Sequence, residues 1–234
     1  MRLSFAIFVA LAASPAIAED VTSARYEEPT TRYAHGVLGD AIEHGTLALE
    51  TETGRRIRIV LPETRVFEDT EPRLFDVDGD GDREVLVVES DASLGARLSI
   101  YDASGLVSAN DFIGRPNRWL APVGIGAADL DGDGLVEVAF VDRPHLAKTL
   151  RVFRFRKGSL ELVAELPGVT NHRIGERDIA GGIRDCGSGP EMIVADANWR
   201  NVLAVSFDGE DFSVQTLAPH EGRGTFQAAA ECRI

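Results

Sequence analysis

Two stretches of this sequence carry acidic residues at a spacing that suits a hard cation: "FDVDGDGDREVLVVE" from Phe75 to Glu89, and "ADLDGDGLVEVAFVD" from Ala128 to Asp142. Each contains D-x-D-G-D-G-x-x-E. The carboxylates are Asp76, Asp78, Asp80 and Glu84 in the first, and Asp129, Asp131, Asp133 and Glu137 in the second. Glycines between them permit a tight loop. Like charges crowded this closely repel unless they are protonated or hold a cation. Alternating oxygens suit Ca2+, which takes roughly six to eight oxygen ligands, better than Mg2+, which keeps its waters. Asp82 and Leu135 occupy the position that offers a backbone carbonyl, and the apolar Leu135 fits only a main-chain role. Structural Ca2+ at both loops is the expected cofactor, with these residues as its ligands.

The pattern matches an EF-hand loop over its beginning alone. Where an EF-hand needs its final glutamate stand Val87 and Phe140, and the flanks read as strands. A third stretch, "IRDCGSGPEMIVADAN", keeps Asp185 and Glu191 but is one residue short between them. No metal is expected there.

The elements that must position these loops recur with them. Glu84, Glu137 and Glu191 are almost evenly spaced, and so are Glu89, Asp142 and Asp196. Further alternating runs follow each loop, "ARLSIYD", "TLRVFRF" and "NVLAVSF", and each then meets a Gly- or Asp-containing turn. Period-two alternation with such turns predicts strands throughout. A self-similar unit of about four strands and 50 residues is the sign of a propeller blade. The expected fold is all-β, a small β-propeller of about five blades, with four as the alternative. Repeat units fall at about 66–115, 119–168 and 172–220, inside one domain over residues 19–234. A shorter unit precedes them, and "GTFQAAAECRI" resembles the first strand of a further one. Pairing that strand with "SARYEEPTTRY" would close the ring and remove exposed edges.

On these motifs, "DVDGDGDRE" with "VLVVE" and "DLDGDGLVE" with "VAFVD", the chain resembles the FG-GAP or VCBS-type repeats of integrin-α-like propellers. The resemblance spans about Arg65 to Pro219. It implies Ca2+ bound by Asp76, Asp78, Asp80, Asp82 and Glu84, and by Asp129, Asp131, Asp133, Leu135 and Glu137. It also implies a propeller that serves recognition.

If the acidic loops join the first and second strands of each unit, the opposite end gathers the other connections. Arg115, Arg118, Trp119, His145, His172, Arg173, Trp199 and Arg200 fall there and form the candidate ligand face, with His35, Arg143 and Lys148 nearby. Arginine beside aromatics is recognition chemistry. Equally, the tryptophans can plug between blades. The sequence has no HExxH pair, no G-x-S-x-G elbow and no phosphate-binding glycine loop. A non-catalytic binding module is the leading reading, with a protein, glycan or anionic small molecule as partner. The alternative is a small propeller hydrolase or lyase acting on carbohydrate.

Composition bounds the rest. A formal charge of −14 disfavours nucleic acid as a partner. Residues 1–18, with Arg2, an apolar run from Phe5 to Ala13 and the small-residue end at Ala18, read as a secretory signal. A secreted or periplasmic protein without membrane insertion is expected. In an exported chain the cysteine pair, Cys186 and Cys232, predicts a disulfide.

Overall fold

The computed structural model describes residues 19–234, so the expected signal at residues 1–18 lies outside the described residues. The chain folds as three antiparallel sheets. The first contains β1 (Val21–Thr30), β2 (Glu43–Thr51), β3 (Arg56–Val60), β4 (Arg65–Phe67), β5 (Arg73–Phe75), β6 (Glu84–Asp91), β7 (Gly95–Asp102) and β8 (Gly105–Ala109). The second contains β9 (Leu120–Ala128), β10 (Glu137–Asp142), β11 (Thr149–Arg156) and β12 (Ser159–Pro167). The third contains β13 (Val169–Thr170), β14 (Gly182–Asp185), β15 (Pro190–Asp196), β16 (Asn201–Phe207) and β17 (Phe212–Pro219). Among the described residues one helix, α1 (Arg223–Ala230), follows, and no helix is long and apolar enough to cross a membrane.

The repeat read from sequence is visible in the pairing. β6, β10 and β15 each pair with a first strand on one side and with the next hairpin strand on the other. Two of those first strands are broken: β4 and β5 both pair with β6, and β13 and β14 both pair with β15. In β9 the break is a bulge at Gly124 and Gly126, whose φ values are 63° and 84°. A Cβ on Gly124 would stand 2.8 Å from the Cα of Gly182, so glycine there lets β9 approach β14.

Burial on both faces of the second strands stacks the units. Val85 and Val87 of β6 join Leu47, Leu49 and Phe67, while Leu86 and Val88 join Trp119, Val138 and Phe140. Ala139 and Val141 of β10 pack instead with Met192 and Val194 of β15. The remaining residues of β15, Ile193 and Ala195, face Phe226 and Ala229 of α1. Each face buries apolar area, which is the main stabilising term of the fold.

The chain ends correct the sequence reading. "GTFQAAAECRI" is not a strand. Its first seven residues, with the preceding Arg223, form α1, which covers the outer face of the third sheet where a further sheet was expected. An alanine run has the highest helix propensity, and Phe226 and Ala229 are buried together one helical turn apart. Nor does the N-terminal run pair with the C-terminus. Residues Val21–Thr30 pair along β2, from Val21 opposite Thr51 to Thr30 opposite Glu43. The two ends of the stack meet through loops, where Gly175 N–H donates to the Val37 carbonyl at 2.9 Å.

Candidate metal centres and the opposite face

Both acidic loops connect a first strand to a second strand, and they fold alike bond for bond. In the first loop the Asp76 carboxylate accepts N–H bonds from Gly79 and Gly81 at 2.7 and 3.1 Å. In the second, Asp129 accepts from Gly132 and Gly134 at 2.7 and 3.0 Å. Asp78 accepts from Asp80 N–H, Asp80 from Asp82, Asp131 from Asp133 and Asp133 from Leu135. The closing glutamates are buried on their strands. Glu84 accepts from Val77 N–H at 2.8 Å and Glu137 from Leu130 N–H at 2.9 Å.

The result is convergence of charge. Carboxylate oxygens of Asp76, Asp78 and Glu84 lie within 4.8 Å of one another, as do those of Asp129, Asp131 and Glu137. Asp80, Asp82, Asp133 and Leu135 stand on the same loops outside those triads. Burial raises the Glu84 pKa to about 7, with Asp78, Asp80 and Asp76 adding to it. Burial likewise raises Glu137, but the Arg154 guanidinium works against it. Such a donor set, oxygen only and anionic, fits a hard divalent cation. The loops flank a cleft of about 380 Å³ between Val77–Asp80 and Gly134–Val136, floored by Phe155 to Gly158. The β11–β12 turn thus backs the first loop, while Gly209 of the β16–β17 turn backs Asp131.

Sequence reasoning missed the arginines that serve these loops. Arg154 bonds Asp131, reaches Glu137 at 2.6 Å and lies 3.3 Å from Asp133. In the third loop, where Gly187 and Gly189 donate to Asp185, Arg184 pairs with Glu191 at 3.0 Å. The Arg184 guanidinium also donates to the Ala229 and Ile234 carbonyls at 2.6 and 2.8 Å. Cys186 and Cys232 form a disulfide, with Cα atoms 5.7 Å apart. It ties the third loop to the turn after α1.

At the other end of the strands, the expected ligand face divides. Arg118, Trp119 and His145 line one cavity of about 200 Å³ with His35, Asn117, Arg143, Leu146 and Ile174. His172 is buried behind it, 3.0 Å from His145 and with its ring centroid 4.9 Å from Trp119. Trp119 itself is only 2% exposed, and its indole N–H donates to the Glu68 carbonyl at 2.7 Å. Arg173 and Trp199 form a separate stack, 4.2 Å apart, against His220 and Phe226. Arg115 and Arg200 are exposed and line neither.

Buried polar residues behind the cavity were not read from sequence. Glu68, fully buried, bonds His35 Nδ1 at 2.7 Å and the Ser90 hydroxyl. Burial raises its pKa, and His35 opposes that rise. Burial also pushes His145 down to about 4, helped by His172, so its ring is neutral at pH 7. The only hint in the sequence was "FEDTEP", an acidic interruption where β4 should have run on into β5.

A family profile for an FG-GAP-like repeat matches residues 76–140, from the first acidic loop into β10. No curated protein matches the sequence. Among solved structures, the chain is similar to the exotype rhamnogalacturonan lyase YesX, at TM-score 0.48 and 15% identity, over 82% of this chain and 40% of that one. It is also similar to the Cps50 (Swd1) β-propeller domain of Myceliophteria thermophila, at TM-score 0.40 and 11% identity, over 77% of this chain and 58% of that one. The chain therefore spans less than two thirds of the length of either.

Proposed function

We propose that this chain, an FG-GAP-type repeat protein over residues 76–140, is an exported, Ca2+-braced β-propeller module that binds a partner without transforming it. One observation carries the reading: two loops with the same hydrogen-bond network bring three carboxylates each to a point, at the end of the strands away from the Arg118 cavity. The loops brace; the cavity end recognises. On this reading the three sheets make four units, two of them in the first sheet, with α1 covering the last face. Export agrees with the disulfide. The partner is a protein, glycan or anionic small molecule, with Arg118 supplying charge-assisted hydrogen bonds.

A hydrolase or lyase acting on carbohydrate is the second reading, and the buried Glu68–His35 pair beside the cavity is what favours it. The discriminating experiment is a screen of glycans and acidic oligosaccharides for binding and for turnover. Retention without turnover, lost in Arg118→Ala while Ca2+-dependent melting is kept, is the expected result. Turnover abolished by Glu68→Gln would replace the binding reading with the enzymatic one. Trp119→Ala is a poor probe of binding, because its burial predicts a stability loss of about 3–5 kcal/mol.

A further inference from the structure

The cavity at Arg118 has histidines whose tautomers its neighbours dictate. His172 Nε2 lies 2.9 Å from the Glu176 carbonyl, which can only accept, so that nitrogen carries the proton. His172 Nδ1 is then bare and accepts from His145 Nε2 at 3.0 Å. His145 is left with a lone pair on Nδ1. On the neighbouring wall, His35 Nδ1 donates to the Glu68 carboxylate at 2.7 Å, leaving Nε2 free of that bond. Both rings line the same cavity. Its rim is held by Asn117 and Arg143 at φ of 51° and 44°, a conformation non-glycine residues adopt at a cost.

Metal-ligating histidines have this arrangement: one nitrogen donates to a carboxylate or an anchored acceptor, which fixes the ring and raises the basicity of the other. We propose that the cavity binds a divalent transition-metal ion of the imidazole-preferring kind, with Zn2+ as its representative, through His35 Nε2 and His145 Nδ1. Water or a bound partner completes the coordination. Of the two arginines on the cavity wall, Arg143 is already neutralised by Asp142 at 2.7 Å. Imidazole donors suit such ions, whereas the all-oxygen loops suit Ca2+, so the two ends of the molecule select different metals. The inference stands apart from both the Ca2+ reading and the Arg118 reading.

The test is a calorimetric Zn2+ titration of the untagged protein in excess Ca2+, which keeps the acidic loops occupied. One Zn2+ equivalent is expected. His145→Ala and His35→Ala should each remove it or weaken it more than tenfold, and Glu68→Gln should weaken it about 10–100-fold. His220→Ala, which lies outside the cavity, should leave it unchanged. Co2+ should give a visible absorption band that His145→Gln removes without lowering the melting temperature, since that ring is partly exposed. No Zn2+ binding in excess Ca2+, or binding equal in wild type and His145→Ala, overturns the proposal. If Zn2+ binds and no glycan or anion does, the metal site stands and the Arg118 reading falls.

Discussion

The loops Asp76–Glu84 and Asp129–Glu137 share one backbone network and differ in what faces them across the sheet. Glu137 stands opposite Arg154 in the β10–β11 register, and that guanidinium reaches three carboxylates of its loop. In the first sheet Val85 pairs with Tyr101, so the residue next in register, across from Glu84, is Asp102. The nearby Arg83 is turned away into a pair with Asp20 at 2.6 Å. One loop therefore carries a cation from its own chain, whereas Asp102 across from the other turns its carboxylate into the β7–β8 turn, accepting from Ser104 and Gly105 N–H, and offers none. The third loop extends the series, because Arg184 is tied into it by Glu191 and two carbonyls. A concentrated set of carboxylates needs positive charge, and the fold supplies none, some or a fixed amount of it at three equivalent places.

The sharpest way to break this comparison is to remove divalent ions. Chelation should lower the melting temperature, and Ca2+ should restore it, because an ion bound only by the native state stabilises by mass action, about 4 kcal/mol at a thousandfold excess over Kd. Glu84→Gln should remove more of that effect than Glu137→Gln. Arg154 already offsets part of the charge in the second loop, so its metal-free form is the less strained of the two. Scanning calorimetry of both variants with and without chelator checks this. Identical melts in all conditions would end the Ca2+ assignment.

A smaller effect should follow from exchanging the facing residues. Arg154→Met should raise the Ca2+ affinity of the second loop by about tenfold, roughly 1.4 kcal/mol, since the guanidinium no longer competes for the same oxygens. Asp102→Arg should lower the affinity of the first loop in the same measure. Calorimetric titrations resolving both sites would show the gap between the two affinities narrow in each variant. Unchanged affinity in Arg154→Met would mean that the side chain swings clear at no cost.

These arginines also show where sequence reading stopped. The loops were legible because their conformation is set locally: glycines give the turn, and each aspartate accepts a bond from a backbone N–H within five residues. The second strands were legible because both faces are apolar, so "VLVVE" and "VAFVD" admit few other readings. Arg154 was not, since its role depends on register across a hairpin, and a one-residue slip would turn it to the other face. The C-terminal segment was misread for a related reason. Small residues in "GTFQAAAECRI" resemble those of "IAGGIRDC", but alanine favours helix when no partner strand is present. Trp119 was placed at the correct end of the strands and with His172, yet its burial depends on Glu68 and the broken first strand. Neither leaves a periodic trace.

Per pH unit the expected effect is no larger than that of the exchanged residues: a pH slope at the first loop, whose sign separates the two loops again. The folded-state pKa of Glu84 is raised from 4.5 to about 7, chiefly by burial and then by Asp78 and its neighbours. A carboxyl with a raised folded pKa binds its proton more tightly in the native state, so metal-free stability is highest below pH 4.5 for this group. That contribution is lost as pH rises toward 7, at no more than about 1.4 kcal/mol per pH unit, and then levels off. Ca2+ needs the same carboxylate deprotonated, so stabilisation by the ion should grow across that window. Denaturant melts in chelator at pH 5, 6 and 7, repeated in Ca2+, would therefore show the two curves diverging. Glu84→Gln should flatten both. In Glu137→Gln the divergence should persist, because Arg154 opposes the rise at Glu137 and leaves the first loop as the main source of the slope.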